Sequence, residues 1–321
     1  MTPNRTVINA ALEKKRKKNW FSRLKKNIAD HPMLYLMILP VIIYYILFHF
    51  LPMYGVVIAF KRYVPTKGIW GSNWVGLKHF NSFFKDYYFG RLLTNTLLIN
   101  FYNLIFGFPV PIIFALALNE LRSKRFKKLT QTVTYMPHFV SAVVMCGIVA
   151  DFTKSDGLIT TILSSAFGFE PYNLLGKAEN FRSIFTIMNI WQGFGWGSII
   201  YIAALTSTDQ ELYEAAAIDG AGRWKQTLHI SIPSIMPTIV IMLILRIGQM
   251  MNLGWEKIYL LYSPLTYETA DVISTYVYRR GMLQSDYSYG AAVGLFNSVV
   301  NCVLIILANT VSRKVNETSM W

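Results

Sequence analysis

Two cysteines in 321 residues, Cys146 and Cys302, both inside apolar runs, exclude a disulfide framework and read as small buried hydrophobes. Charge is scarce as well: 15% of residues are charged against 53% hydrophobic, and a soluble domain of this length ordinarily carries more. Acid is scarcer than base, 17 Asp and Glu against 31 Lys and Arg, for a formal net charge of +14. Five scattered histidines without cysteine partners exclude a metal site of the usual spacing. No nucleophile stands at a useful spacing from a base, and no G-x-x-x-x-G-K-[ST] phosphate loop occurs. There is no internal repeat and no low-complexity tract. What remains is the composition of a membrane protein. Much of the positive charge sits in the first 30 residues and one short loop, which fits an anionic membrane surface better than nucleic acid.

Six apolar runs approach the ~20 residues needed to cross a hydrocarbon core: about 33–53, 92–118, 130–151, 183–205, 233–252 and 290–311. Backbone groups in lipid must be satisfied within the segment, so these are helices, and the expected fold is all-α with six transmembrane helices. No alternating short strands suggest a β-barrel. Prolines 40, 109, 111 and 237 predict kinks. The expected organisation is a basic segment 1–32, a membrane domain 33–311 and a tail 312–321. About 30 polar residues precede the first run, which argues against a cleavable signal peptide.

Lys and Arg asymmetry sets orientation. Residues 1–32 carry nine and the 119–129 loop five, on the same side as the 206–232 loop and the tail. The 61–91 loop on the other side carries six, so the bias is moderate, and it places both termini in the cytoplasm. Lys14 to Lys26 interleaves bases with Trp20, Phe21 and Leu24 and reads either as a surface-lying amphipathic helix or as an unstructured basic tail.

The 206–237 segment, TSTDQELYEAAAIDGAGRWKQTLHISIPSIMP, is too patterned for a simple connection. Thr208 and Glu211 match a capping box, residues 209–218 are strong helix formers, and Asp219-Gly220 is a helix stop with Gly220 suited to a left-handed cap. A second short helix, Arg223 to His229, leads to Pro233, near the start of the next span. Glu214-Ala215-Ala216, three residues, Gly220, nine residues, then Ile230-Ser231-Ile232-Pro233 resembles the EAA loop of ABC importer permeases, departing only in Ile232 where that signature has Leu. The segments ILPVIIYYILFHFLPMYGVVIAFKRY, IWQGFGWGSIIYIAAL and NLGWEKIYLLYSPLTYETADVISTYVYRRG look like the carbohydrate-uptake branch, and the resemblance covers most of the chain from about residue 35 onward.

The resemblance implies a type I importer permease of the bacterial plasma membrane, with no enzymatic activity and no cofactor of its own. It implies a coupling helix in which Glu214 makes polar contact with a separate ATPase subunit. Ala215, Ala216 and Ala217 would permit close packing, Gly220 the turn, and Asp219 a local cap or pair. The expected partners are a second permease chain, two ATP-binding subunits that use the ATP, an extracellular solute-binding protein, and an oligosaccharide, with pectin- and alginate-type fragments as candidates. A permease for a non-sugar solute, or a stand-alone channel or carrier, is the alternative.

Polar residues inside spans are functional candidates, though many only pack. Arg246, Gln249 and Leu253 fall on one helical face, with Glu256 a turn further out, and an arginine there could hold an acidic sugar or snorkel to a carbonyl. Asn189, Gln192 and Trp196 recur at helical spacing, a set that suits sugar hydroxyls and flat C–H faces or, equally, interhelical packing. Asn297, Asn301 and His138 read as packing or gating residues. The aromatic outer loops, 54–91, 152–182 and 253–289, could receive a binding protein or merely cover the pore.

Overall fold

The computed structural model describes residue 22 and residues 25–316; most of the Lys14–Lys26 segment lies outside them. These residues form two compact units, one up to Val57 and one from Ile58 onward. The first unit holds most of α1 (Pro32–Phe60), which is long and apolar enough to cross a membrane and is apolar around its circumference over Pro32–Tyr45.

In the second unit, α2 (Phe89–Asn119), α7 (Arg223–Ile247) and α8 (Tyr287–Asn316) are each long and apolar enough to cross a membrane. A further pair, α3 (Lys124–Phe139) and α4 (Ala142–Phe152), is apolar enough together but bent by 98°. The expected continuous span over 130–151 is therefore broken. The expected fourth span is α5 (Ala178–Thr206), 29 residues long, yet its amides, glycines and tryptophans leave it less apolar than the others. Among the described residues, four helices and one bent pair thus meet the length and hydropathy of a span, where the sequence leads us to expect six. A two-stranded antiparallel sheet pairs β1 (Lys61–Arg62) with β2 (Asn73–Trp74).

Proline explains the shape of the spans. Three π-helical turns, Ile46–Phe50, Asn103–Gly107 and Thr227–Ser231, each end two residues before a proline: Pro52, Pro109 and Pro233. Proline has no N–H, and its ring clashes with the carbonyl four residues back. That residue is Phe48, Ile105 or His229, the middle of each π-turn, where the wider coil relieves the clash without ending the helix. Pro40 and Pro237 sit inside continuous helix. The helix expected to start afresh near Pro233 is instead continuous from Arg223 to Ile247.

The break between α3 and α4 is handled differently. Ser141 caps α4 by accepting from the Val144 N–H, and Gln192 of α5 donates its Nε2 to the Val140 carbonyl at 2.9 Å. Trp196, one turn along α5, stacks on His138 with ring centroids 4.6 Å apart. Between them Gly195 lets the helices touch: a Cβ there would lie 2.2 Å from the Thr134 carbonyl oxygen.

α5 is the centre of the unit, packing on α2, α3 and α7. One apolar cluster, Ala115, Tyr201, Leu205 and Ile235, sits where the C-terminal parts of α2 and α5 meet the middle of α7; it lies toward the loop end of the bundle. At the far end are two larger clusters, one around Ile99, Phe181, Phe185 and Ile258, the other around Phe83, Leu92, Ile273 and Tyr289. Asp271, fully buried, ties the far end together. Both carboxylate oxygens are held by Arg279, at 3.2 and 2.7 Å, and Thr275 donates at 2.9 Å. Burial alone would lower the Arg279 pKa, but hydrogen bonds and charge from Asp271 outweigh it and raise the value. Of the two cysteines, both free, Cys146 is buried as expected and Cys302 is exposed on α8.

Gly195→Ala should destabilise the protein by about 1–3 kcal/mol through overpacking, lowering the thermal midpoint in detergent. Gly147→Ala, with nothing within 4 Å of the added methyl, should not. Asp271→Ala leaves a half-buried arginine unpaired and should cost roughly 3 kcal/mol or more, read by the same melt.

Candidate functional site: a braced loop helix and a cationic cleft

The loop helix α6 (Gln210–Ile218) starts at Asp209, whose carboxylate accepts from the Glu211 N–H at 3.0 Å. The expected cap, Thr208, does other work: its Oγ1 meets Ser234 Oγ on α7 at 2.9 Å. Asp209, one residue later, reaches the free Glu211 N–H instead, so the box does not form. The helix end is a Schellman motif, with the Ala221 N–H on the Ala216 carbonyl and the Gly220 N–H on that of Ala217. Gly220 takes φ +77°, which a side chain would strain. Asp219 is the C-cap residue. Glu214, Ala215, Ala217, Asp219 and Gly220 are exposed and Ala216 is half-buried. Beside them stand Ile218 and Trp224, 87% and 74% exposed.

α6 is fastened to α7. Besides the Thr208–Ser234 contact, the Tyr213 hydroxyl meets Ser231 Oγ at 2.9 Å and Gln226 Nε2 donates to the Ala221 carbonyl at 2.9 Å. Arg223, the first residue of α7, lies 3.9 Å from the Glu120 carboxylate just beyond α2. Tyr213, Ser231 and Ser234 went unnoticed in the sequence because each reads locally as a helix or loop residue. Only the fold shows that they face one another.

At its other end α7 contributes to a cleft of about 250 Å³, lined by Asn100 and Asn103 of α2, Asn189 of α5, Arg246, Gln249, Asn252 and Lys257. A second hollow of about 210 Å³ shares Asn103, Asn189 and Arg246 and runs on along α5 past Gly193 and Gly197 to Tyr201. The lining carries amides and two cations but no carboxylate. Lys257 Nζ donates to Asn189 Oδ1 at 3.0 Å. Burial lowers its pKa from the ordinary lysine value, with the nearby Cys146 thiol opposing weakly. Arg246 has no ion-pair partner among the described residues.

The structure thus brings Asn189, Arg246 and Gln249 together and leaves Gln192 and Trp196 out: those two hold the α3–α4 break. Arg246 and Gln249 do not share a helical face, since α7 ends at Ile247. The chain then turns, pinned by Asn100 donating to the Met250 carbonyl and by the Met251 N–H donating to Asn301 Oδ1. Glu256 does not line the cleft. Asn100 and Asn103 were visible as amides in an apolar run, whereas Lys257 lay in a segment read as an outer loop.

Comparison with known proteins agrees with this architecture. Residues 107–317 match the family of binding-protein-dependent transport system inner membrane components. The chain is 44% identical to the polygalacturonan/rhamnogalacturonan transport system permease protein YteP of Bacillus subtilis, over 98% of this chain and 97% of the relative. It is also 44% identical to protein LplB of the same organism, over 94% of each. Among solved structures, it is 42% identical to a chain of a bacterial ABC transporter involved in the import of the acidic polysaccharide alginate. That likeness has a TM-score of 0.83 and covers 92% of this chain and 99% of the other. A second structure shows a bacterial alginate ABC transporter in complex with an alginate pentasaccharide-bound periplasmic protein, also at 42% identity, with a TM-score of 0.84 over 93% of this chain and 100% of that one. The braced loop helix and the spans it leads into are those of an ABC permease, and the chain belongs to the family of binding-protein-dependent transport system inner membrane components.

Proposed function

We propose that this chain is one of two permease subunits of an ATP-driven importer of acidic oligosaccharides. The observation that carries this reading is mechanical and chemical at once: α6, which bears the EAA signature, is hydrogen-bonded to α7, and α7 ends at the cationic cleft. In this reading the termini and the 206–232 loop are cytoplasmic, and α6 docks on one of two ATP-hydrolysing partner subunits. Glu214 offers a free carboxylate, Ala215 and Ala217 a close approach, and Asp219 and Gly220 a fixed turn. The chain itself holds no cofactor, and the ATP is spent by the partners. An extracellular binding protein delivers the sugar, and a second permease chain completes the path.

The cleft suits an anionic, hydroxyl-rich ligand. Sugar hydroxyls both donate and accept, and amides answer both needs. Arg246 and Lys257, poorly solvated and without acidic partners, favour a carboxylate entering the site. Relatives named for polygalacturonan/rhamnogalacturonan transport and for import of an acidic polysaccharide support the same substrate class. Movement of α6 passes into α7 through Thr208–Ser234 and Tyr213–Ser231, and shifts Arg246 against Asn103 and Asn189, which belong to other helices. Binding strength at the cleft is then coupled to the state of the loop.

Glu214→Lys and Gly220→Pro should abolish ATP-coupled uptake while membrane insertion persists; normal uptake in both would end the coupling role. Arg246→Gln should raise the KM for oligogalacturonate import about tenfold, the loss of one charged hydrogen-bonding group, with little change in the protein's melting temperature. An unchanged KM would remove Arg246 from the path.

A further inference from the structure

At the far end of the bundle a separate hollow of about 600 Å³ is lined by Tyr88, Arg91, Tyr267, Tyr276, Arg279, Arg280, Gln284 and Asp286. Its place follows from α2. The C-terminal end of that helix meets Arg223 at the loop end, so Phe89, its first residue, stands about 45 Å away at 1.5 Å per residue. The Arg246 cleft lies between the two ends and shares no residue with this hollow.

The three arginines are not equivalent. Arg279 is spent on Asp271, which it grips with both terminal nitrogens. Arg280 pairs with Asp86 at 3.0 Å and Asp286 at 3.5 Å. Arg91 has neither arrangement. Asp271 approaches it only to 3.8 Å, with its oxygens already engaged, and Arg91 Nε is buried without any hydrogen-bond partner. A guanidinium carries five N–H donors, and a recessed one that spends so few of them is costly unless something arrives to accept. The arginines also lie over tyrosine rings, Arg91 Cζ 4.7 Å from the Tyr88 centroid and Arg279 Cζ 4.9 Å from that of Tyr267. With Arg279 and Arg280 paired, the Arg91 fork is the donor set left for a planar, two-oxygen acceptor. Arg279 and Arg280 sit together in a π-turn, Tyr278–Leu283, that no proline explains.

We infer that this Arg91-centred hollow is a second binding site for the carboxylate of an acidic sugar residue, met before the Arg246 cleft as the chain enters from the far side. A volume of ~600 Å³ falls within the range of small-ligand pockets, and the charge is recessed, which favours a sugar unit over the flat face of a protein. The inference rests on the acidic-oligosaccharide reading given above.

The test uses the whole transporter in proteoliposomes with its binding protein, and trigalacturonate as the probe. Arg91→Gln should raise the KM for import about tenfold, and Arg91→Lys, which keeps the charge but not the fork, should fall between. Gln284→Glu, on the exposed rim, places a repelling carboxylate at the hollow without disturbing its packing and should also raise the KM. The affinity of the loaded binding protein for the complex, measured separately, should be unchanged in all three. A loss of that affinity assigns the hollow to protein docking and overturns the inference, as does an unchanged KM in both Arg91→Gln and Gln284→Glu. If the wild-type transporter does not import trigalacturonate at all, the acidic-substrate reading falls and this site with it. If it does, and the variants match it, that reading stands and only this site is lost.

Discussion

Hydrocarbon offers no partner to a backbone N–H or carbonyl, so every departure from regular helix inside a span must bring its own hydrogen bonds. Much of this structure is the set of answers to that demand. Where a proline intervenes at positions 52, 109 or 233, the coil widens for one turn and continues. Where α3 breaks from α4, Gln192 reaches across from α5 to the stranded Val140 carbonyl. Where α7 ends and the chain turns back, Asn100 supplies a donor to the Met250 carbonyl and Asn301 an acceptor for the Met251 N–H. Gln192, Asn100 and Asn301, polar residues within or beside apolar runs, are engaged in this way.

That distinction governs which intramembrane amides remain for a ligand. Gln192 and Asn301 serve the backbone. Asn189 instead meets Lys257 and opens on the cleft, beside the unpaired Arg246. The cationic character of the cleft therefore survives because no acidic residue was placed there to quench it, whereas at the far end Asp86, Asp271 and Asp286 quench nearly everything except Arg91.

The sequence made the architecture legible in proportion to how local each signal was. The EAA spacing, the alanine-rich helix and the left-handed Gly220 are all contained within a few turns and were read correctly. The cap was misplaced by one residue, from Asp209 to Thr208, because both residues cap well and only the contact with Ser234 shows which is otherwise occupied. Periodicity set Gln192 and Trp196 beside Asn189, but a few tens of degrees around a helix separates a cleft from a packing seam, and no pattern in one chain says where the neighbouring helices stand. The α5 helix is expected from its apolar run at about 183–205, and it carries more polar residues than the other spans, which fits its central position. The far-end arginine–tyrosine cluster draws on residues 88–91 and 267–286, and such long separations leave no trace in local spacing.

The uninterrupted course of α7 has a geometric consequence. From Arg223 to Arg246 the rod is about 35 Å long at 1.5 Å per residue, and Tyr213 and Thr208 grip it at Ser231 and Ser234, about 20 Å short of Arg246. A tilt of about 10° at that grip would sweep Arg246 through roughly 3 Å over an arm of about 20 Å. That displacement is the reach of a hydrogen bond, so a slight rocking of a nine-residue protrusion is enough to exchange one guanidinium neighbour for another, with no helix needing to melt or slide.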